Sequence, residues 1–272
     1  MALPHASPGS PLFELEGVGF ARSGNTILAD VDWRIDDGER WAVLGPNGCG
    51  KSTLLKLALG MLWPTAGTIR RQGDEYTDLR SFWTRIGWVT DAVAGHIPAD
   101  EPARDTVLSG KFGQLGLKLF QGMSLSMADQ EAASRTLERL GCESLADRHF
   151  GVLSQGERRK VLVARALMAN PLCVILDEPC DGMDPGARER FLAWLGGCLR
   201  QDPGTATILV THHMEEILPE FTHTLVLRQG RVLARGRTAD VLTPETLEPL
   251  YDARLARLER SGGRVWPIWA GG

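Results

Sequence analysis

Hydrophobic residues in this chain follow two patterns with different periods. Short, continuously apolar runs are typical of strands buried on both faces, and they occupy residues 41–44, 173–176 and 208–210. Longer segments have the spacing of helices with one buried face, at residues 53–59, 126–141 and 158–167. Ser126 opens the second of these helices and Gly141 closes it. The combination predicts an α/β fold.

Between the first apolar run and the first helix lies a segment with specific chemistry. Its glycines, lysine and hydroxyl have the spacing G-x-x-x-x-G-K-S between a strand and a helix, which predicts a P-loop that cradles a nucleotide triphosphate. Backbone N–H groups and the helix N-terminus would face the phosphates, Lys51 would reach the β- and γ-phosphates, and Ser52 would supply an oxygen to Mg²⁺. The alternative is a glycine-rich turn that only joins strand to helix. The segment consists of Gly45, Pro46, Asn47, Gly48, Cys49, Gly50, Lys51, Ser52 and Thr53.

The second half of the chain contains three more polar motifs. Leu153-Ser154-Gln155-Gly156-Glu157 precedes the third helix, with Ser154 as the predicted N-cap and Glu157 as its capping-box partner. The second apolar run ends in Asp177 and Glu178, at the carboxyl end of a strand, where open α/β sheets bind ligands. Because neighbours on a strand alternate faces, we expect the two carboxylates to diverge.

The third apolar run is followed by Thr211, and the predicted strand ends in His212, next to His213. In their order and spacing, these motifs resemble those of the ATP-binding cassette (ABC) ATPases, and the resemblance covers about residues 13–236. It implies a P-loop NTPase core of the RecA-like type with an antiparallel β subdomain and an inserted helical subdomain. The expected ATPase domain is 12–236 with the insertion at about 93–152, and residues 237–272 are expected to form a short helix and hairpin.

The resemblance also implies roles for individual residues. Asp177 would join Ser52 in the Mg²⁺ shell, Glu178 would polarise the attacking water, and His212 would be the switch histidine. For His213 the family pattern implies no role, and we expect it to face solvent.

The L-S-Q-G-E segment resembles the ABC signature motif. In this family Ser154 and the Gly156 backbone would meet the γ-phosphate of a nucleotide that a second cassette holds. The resemblance therefore implies a head-to-tail pair of chains, expected to be a homodimer.

Two positions depart from the family pattern. Asp91, or Thr90 before it, stands where a glutamine is expected; a carboxylate is a good Mg²⁺ ligand but adds negative charge beside a triphosphate. Asp91 as a metal ligand and Asp91 as a solvated turn residue both remain open. Arg22 stands where the family offers an aromatic ring to adenine, and it could stack on the base or be an ordinary surface arginine.

Two groups of apolar residues lie outside the motifs. Trp266 and Trp269, near the end of the chain, are predicted to pack on the core. A glycine-containing stretch is predicted to fill the core of the helical lobe, the alternative being a surface for a membrane partner; its apolar residues are Phe112, Leu115, Leu117, Leu119, Phe120 and Met123.

Composition narrows the classes of function. A net charge of −4 and a pI near 5.9 argue against general nucleic-acid binding. Five cysteines without paired spacing fit a reducing cytosol. Residues 1–11 lack the basic start and apolar core of a secretory signal or anchor, and no apolar run is long enough to span a bilayer. We expect a cytoplasmic protein, peripheral on the inner face of the cell membrane.

The sequence therefore predicts the ATP-hydrolysing subunit of an ABC transporter, with ATP and Mg²⁺ as cofactors and a separate transmembrane subunit as partner. Within the family it looks most like proteins described as molybdenum or metal-chelate uptake ATPases. The main alternative is a soluble ABC ATPase that acts in nucleic-acid repair or regulation. A non-ABC P-loop kinase is a third class, and the L-S-Q-G-E helix and the His212 strand argue against it.

Overall fold

The computed structural model describes residues 10–120 and 124–271. The strands within them are β1 (Phe13–Arg22), β2 (Asn25–Ile35), β3 (Arg40–Leu44), β4 (Ala66–Arg71), β5 (Ile86–Val89), β6 (Cys173–Asp177), β7 (Ala206–Thr211), β8 (His223–Arg228), β9 (Arg231–Arg237), β10 (Leu255–Ser261) and β11 (Arg264–Trp269). The helices are α1 (Lys51–Ala58), α2 (Leu79–Trp83), α3 (Asp91–Ala94), α4 (Ala103–Ser109), α5 (Met127–Arg139), α6 (Gln155–Met168), α7 (Pro185–Gln201), α8 (Thr238–Val241) and α9 (Pro244–Tyr251).

These elements form two compact units. The first contains the chain up to Arg80 together with the chain from Pro203 onwards, and the second contains Ser81–Asp202. The first unit thus takes its residues from both ends of the sequence.

A parallel sheet in the first unit positions the phosphate loop. β3 lies between β7 and β8 and runs parallel to both, and β9 continues the sheet antiparallel to β8. Leu44 is opposite Thr211 in the register. The P-loop and His212 therefore leave the sheet at the same edge, at the carboxyl ends of neighbouring strands, where such sheets place their ligands.

An antiparallel sheet of β2, β1 and β4 forms the other layer of strands in the first unit. Residues Leu15, Trp33 and Ile69 stand opposite one another across its three strands and are all buried. Cross-strand contacts of this kind are what stabilise a sheet. This is the antiparallel subdomain that the resemblance implied.

The second unit combines a parallel strand pair with helices. β5 and β6 pair with Val89 opposite Leu176, so Asp91 and Asp177 follow at the same end of the pair. The predicted helix that Ser126 opens is α5, with Ser126 as its N-cap and Asp129 as its capping-box partner. α4, α5 and α6 pack against one another through buried residues that include Val107, Leu137 and Leu162.

The prediction that the segment after α4 fills the core is wrong for the described residues. Leu115, Leu119 and Phe120 are 38%, 54% and 62% exposed, and Phe112 and Leu117 are only partly buried. Met123 lies outside the described residues. In residues 113–120, the part of this segment that the structure describes after Phe112, the glycines and the absence of a regular helix leave these side chains at the surface.

After β9 the chain continues as α8, α9 and the antiparallel hairpin of β10 and β11. Val265 is buried and Trp266 is partly buried, but Trp269 is 36% exposed, so the prediction that Trp269 packs on the core is wrong. Its ring instead makes an edge contact with Tyr251. Within the described ranges, every helix is too short or too polar to cross a membrane.

Candidate functional site

The P-loop connects the carboxyl end of β3 to the start of α1. Its N-cap residue, Gly50, has a φ of 110°, a conformation that L side chains rarely adopt. A Cβ at Gly50 would lie 2.8 Å from Leu28 Cδ2, and one at Gly45 would lie 2.7 Å from Cys49 Sγ. Glycine is required at Gly50 by its backbone conformation, and at Gly45 because a Cβ there would also collide with the Leu227 carbonyl oxygen.

Lys51 is the first residue of α1 and only 5% exposed. Its ammonium donates to the Gly45 carbonyl at 2.7 Å and to the Pro46 carbonyl at 3.2 Å. These two hydrogen bonds hold the positive charge of Lys51 against the backbone of the P-loop. Next to it, the Ser52 side chain is exposed at the first turn of the helix.

His212 lies directly after β7, in a turn that the strand end holds in place. The Gly45 amide donates to the Thr211 carbonyl at 3.4 Å, which links this turn to the P-loop. Thr211 Oγ1 donates to the buried Glu216 carboxylate at 2.6 Å and accepts from the His213 amide at 3.0 Å. Both histidines are partly buried, and their rings are 4.0 Å apart between centroids.

Arg22 is exposed at the end of β1, opposite Asn25 in the hairpin to β2. Base stacking by its guanidinium and an ordinary surface position are both compatible with this placement. Its role stays a prediction.

In the second unit, β6 carries the acidic pair at its carboxyl end. The strand ends at Asp177, and Glu178 has a φ of 48°, in the left-handed region. Strand alternation, on which the prediction of diverging side chains rests, therefore does not extend to Glu178, and the divergence stays a prediction. Positive φ at a bulky residue is strained, and such strain is typical of functional sites.

The signature segment forms the N-terminus of α6. Ser154 is the N-cap, its Oγ accepts from the Glu157 amide at 3.4 Å, and the Glu157 carboxylate accepts from the Ser154 amide at 2.8 Å. This confirms the predicted capping box. A Cβ at Gly156 would meet no atom within 4 Å, so the backbone there faces open space.

Glu157 also pairs with Arg148, a contact that the sequence did not suggest. Partial burial opposes the charge on Glu157, but the hydrogen bonds from Ser154 and the ion pair with Arg148 outweigh it. The pKa of this carboxyl therefore lies below its ordinary value.

A cleft of about 330 Å³ opens beside the start of α6, between it and the start of α7. Asp184 caps α7 by accepting from the Ala187 amide at 2.9 Å. The lining is rich in small and polar residues and also includes the buried Phe191: Ser154, Gln155, Gly156, Glu157, Lys160, Gly182, Met183, Asp184, Ala187, Arg190 and Phe191.

Asp91 is the first residue of α3, and its side chain is 78% exposed. Its Oδ1 accepts a hydrogen bond of 2.7 Å from Nη2 of Arg159, whose side chain is only 5% exposed. Asp91 is therefore not only a solvated turn residue, because it neutralises a buried cation on α6. Whether it also binds metal stays a prediction.

Comparison with known proteins identifies the family. The model of the family described as "ABC transporter" matches residues 28–181. The chain belongs to the ABC transporter family. It is an ABC-type ATPase, the ATP-binding and hydrolysing subunit of a transporter, as the sequence predicted.

Several ABC transporter proteins are similar over most of their length. An uncharacterized ABC transporter ATP-binding protein of Bacillus subtilis, YlmA, is 36% identical over 89% of this chain and 91% of its own. The manganese transport system ATP-binding protein MntB of the same organism is 34% identical over 90% of this chain and 94% of its own.

Among solved structures, the inward-facing conformation of a proposed metal-chelate type ABC transporter is 26% identical to the chain, with a TM-score of 0.76. The alignment covers 96% of this chain and 97% of that ABC protein. The likeness confirms the predicted fold class.

Sequence reasoning missed three residues beside the ABC motifs. Arg159 pairs with Asp91, Arg148 with Glu157, and the Tyr251 hydroxyl with the His212 carbonyl. Arg148 lies nine residues before Glu157, and the other partners are 68 and 39 residues apart, so no short motif links them.

Proposed function

We propose that this chain pairs head to tail with a second copy around two ATP molecules and drives a separate membrane subunit that transports a transition-metal ion or its chelate. The observation that carries the pairing is the N-terminus of α6. Ser154 is exposed and the Gly156 backbone faces open space, beside a cleft lined by polar residues. A phosphate from another chain could reach this helix end, because helix N-termini favour anions.

The site residues fit a nucleotide with Mg²⁺. Ser52 has an exposed hydroxyl at the start of α1, and Asp177 is a carboxylate at the end of β6, and such oxygen ligands are those that Mg²⁺ prefers. When bound, the ion neutralises phosphate charge. Asp91 Oδ2 is proposed as a further metal ligand, and Arg22 as the residue that stacks on adenine.

Each remaining residue would act on the nucleotide in a different way. Lys51 would neutralise the β- and γ-phosphates, and Glu178 would orient and polarise the attacking water. His212 would contact the γ-phosphate end. The left-handed backbone at Glu178 supports a catalytic role, because it places a carboxylate where the strand alone would not.

The membrane partner can be tested directly. Affinity purification of the full chain from native membranes should recover a protein with several membrane-spanning segments. The Gly156→Trp variant, which blocks the open face of α6 without changing the P-loop, should bind ATP but fail to form the paired complex. Recovery with nucleic acid or ribosomes instead would support the alternative soluble function.

The proposed substrate class rests on relatives that are named for manganese transport and described as metal-chelate type. Deleting the gene should alter the cellular content of one transition metal, measured by inductively coupled plasma mass spectrometry. The wild-type gene should restore it and the Glu178→Gln gene should not. An unchanged metal profile, with altered uptake of a different solute, would overturn the assignment.

A further inference from the structure

The C-terminal extension, here α9 with the hairpin β10–β11, touches the turn that carries His212. Tyr251, the last residue of α9, donates its hydroxyl hydrogen bond to the His212 carbonyl oxygen at 2.8 Å. The Tyr251 ring is supported from the hairpin by Trp269, with centroids 5.5 Å apart in an edge-to-face arrangement. The extension thus reaches the backbone of a proposed active-site residue.

A second contact holds the other end of the same turn. The Arg264 guanidinium donates through Nε to the Glu215 carbonyl at 2.6 Å, and through Nη2 to the same oxygen. The guanidinium also lies 4.6 Å from the centre of the Trp266 ring, a cation–π distance. Tyr251 and Arg264 therefore donate hydrogen bonds to two carbonyls of the turn, those of His212 and Glu215, which are three residues apart.

The extension is itself firmly anchored. Leu247, Leu250 and Val265 are at most 4% exposed, so its apolar side chains belong to the core of the first unit. The Glu248 carboxylate accepts from the Leu255 amide at 2.8 Å, which joins helix to hairpin. A hydroxyl carried on such a rigid element is held in one place, unlike one on a loose tail.

Tyr251 adds a contact from outside the turn, which also has hydrogen bonds of its own. Thr211 donates to Glu216, the His213 amide donates to Thr211, and the Glu216 amide donates to the His213 carbonyl at 3.1 Å. Burial raises the pKa of the Tyr251 hydroxyl above its ordinary value, and the negative charge of Glu215 adds to this, so the hydroxyl keeps its proton and remains a donor. Holding the His212 carbonyl in place restricts the backbone dihedrals of His212, and the imidazole projects from that backbone.

We propose that Tyr251 is a positioning residue for ATP hydrolysis, which fixes the His212 imidazole in its productive orientation by holding the His212 carbonyl. The C-terminal extension is then part of the catalytic apparatus of this ATPase. The inference rests on the proposed role of His212. It concerns the rate of the chemical step and not the binding of ATP, because Tyr251 acts through a residue outside the P-loop.

The test compares the two tyrosines of the chain. Tyr251→Phe removes the hydroxyl and keeps the ring on Trp269, whereas Tyr76→Phe removes a hydroxyl from a side chain that is 88% exposed. In the full-length protein, Tyr251→Phe should lower kcat by about tenfold with the KM for ATP within about twofold. Tyr76→Phe should change neither constant.

A double-mutant cycle separates positioning from general destabilisation. If Tyr251 acts through His212, adding Tyr251→Phe to His212→Ala should cause no further loss of kcat. Trp269→Ala, which removes the ring that supports Tyr251, should lower kcat by a smaller factor and also leave KM unchanged. This second variant keeps the test decisive if Tyr251→Phe folds poorly.

Three outcomes would overturn the proposal. If Tyr251→Phe has the wild-type kcat and His212→Ala is inactive, Tyr251 has no positioning role, and the proposed function of the chain still stands. If Tyr251→Phe lowers kcat by the same factor in the His212→Ala protein as in the wild type, Tyr251 does not act through His212. Wild-type turnover in His212→Ala would remove the role of His212 from the proposed function and this inference with it.

Discussion

Two helix N-termini carry the proposed phosphate-binding motifs, and they are capped in different ways. α1 begins after Gly50, which has no side chain, and its first residue is the buried Lys51. α6 begins after Ser154, and the Glu157 carboxylate already accepts from the Ser154 amide and hydroxyl. The N-terminus of α1 thus has no side-chain cap and lies beside the Lys51 cation. The N-terminus of α6 has a capping box that includes the Glu157 anion.

The difference has a chemical consequence. An uncapped helix N-terminus with a lysine is a strong anion site, because both the dipole and the charge attract phosphate. At α6 the negative Glu157 offsets part of the dipole, and what remains is the Ser154 hydroxyl and the Gly156 backbone. We infer that α1 holds nucleotide in each monomer, whereas α6 binds it weakly and reversibly, as an opening and closing dimer requires.

The largest effect should come from breaking the α1 site. Lys51→Ala removes the charge that the structure holds over the P-loop, and ATP affinity should fall by about 100-fold. Isothermal titration calorimetry on the purified chain measures this. Lys56→Ala, later in the same helix, is the matched control and should bind ATP normally; equal affinities for all three proteins would place the nucleotide elsewhere.

Breaking the α6 site should leave the monomer site intact. Ser154→Arg places a bulky charged side chain at the exposed helix end, and it should abolish ATP-dependent pairing while ATP affinity stays within about twofold. Analytical ultracentrifugation with and without MgATP separates the two quantities. Loss of ATP binding by the monomer would show that the two helix ends do not act separately.

Asp91 sharpens the comparison because its partner, Arg159, belongs to α6. If Asp91 also contacts the metal shell, as proposed, Asp91→Ala should raise the Mg²⁺ concentration for half-maximal ATPase activity by about tenfold. Glu131→Ala, at an exposed ion pair on α5, is the control. An unchanged Mg²⁺ titration would restrict Asp91 to neutralising Arg159.

The smallest effect concerns the charge at the start of α6. Glu157→Gln keeps a capping-box acceptor but loses the charge and the pair with Arg148, which should cost about 1 kcal/mol of unfolding free energy at pH 7. Because the pKa of Glu157 is lowered by folding, its charge stabilises the protein above the unfolded pKa, and this contribution is lost as the pH falls through the folded pKa.

Denaturant titrations of wild type and Glu157→Gln should therefore differ at pH 7 and converge at about pH 3, below the unfolded pKa of about 4.3. Glu143→Gln provides a control carboxylate in the same unit, and its difference from wild type should be small at both pH values. A gap that widens towards acid would contradict the lowered pKa.

The strand, loop and helix around the P-loop could be predicted because their determinants are local. Glycine, lysine and hydroxyl positions within nine residues define both the turn and the chemistry, and the Ser154 capping box is equally local. The left-handed backbone at Glu178 could not be predicted, since it lies just after the end of the strand at Asp177 and no local motif encodes it.

Contacts between residues distant in sequence could not be predicted, because no local motif encodes them. Arg159 lies 68 residues from Asp91, and Tyr251 lies 39 residues from the carbonyl that it holds. Nor did apolar character predict burial at Phe120, where the chain has no regular element to turn the side chain inwards. Tertiary packing decides such positions, and a single sequence does not display it.

Light scattering of the Glu178→Gln protein tests the central claim most directly, that α1 and α6 of different copies meet across ATP. Blocked hydrolysis should make the closed state persist, so MgATP should shift the protein from monomer to dimer at micromolar concentration, and ADP should not. The Glu178→Gln, Ser154→Arg protein should bind ATP and remain a monomer. A Glu178→Gln protein that stays monomeric under saturating MgATP would contradict self-pairing.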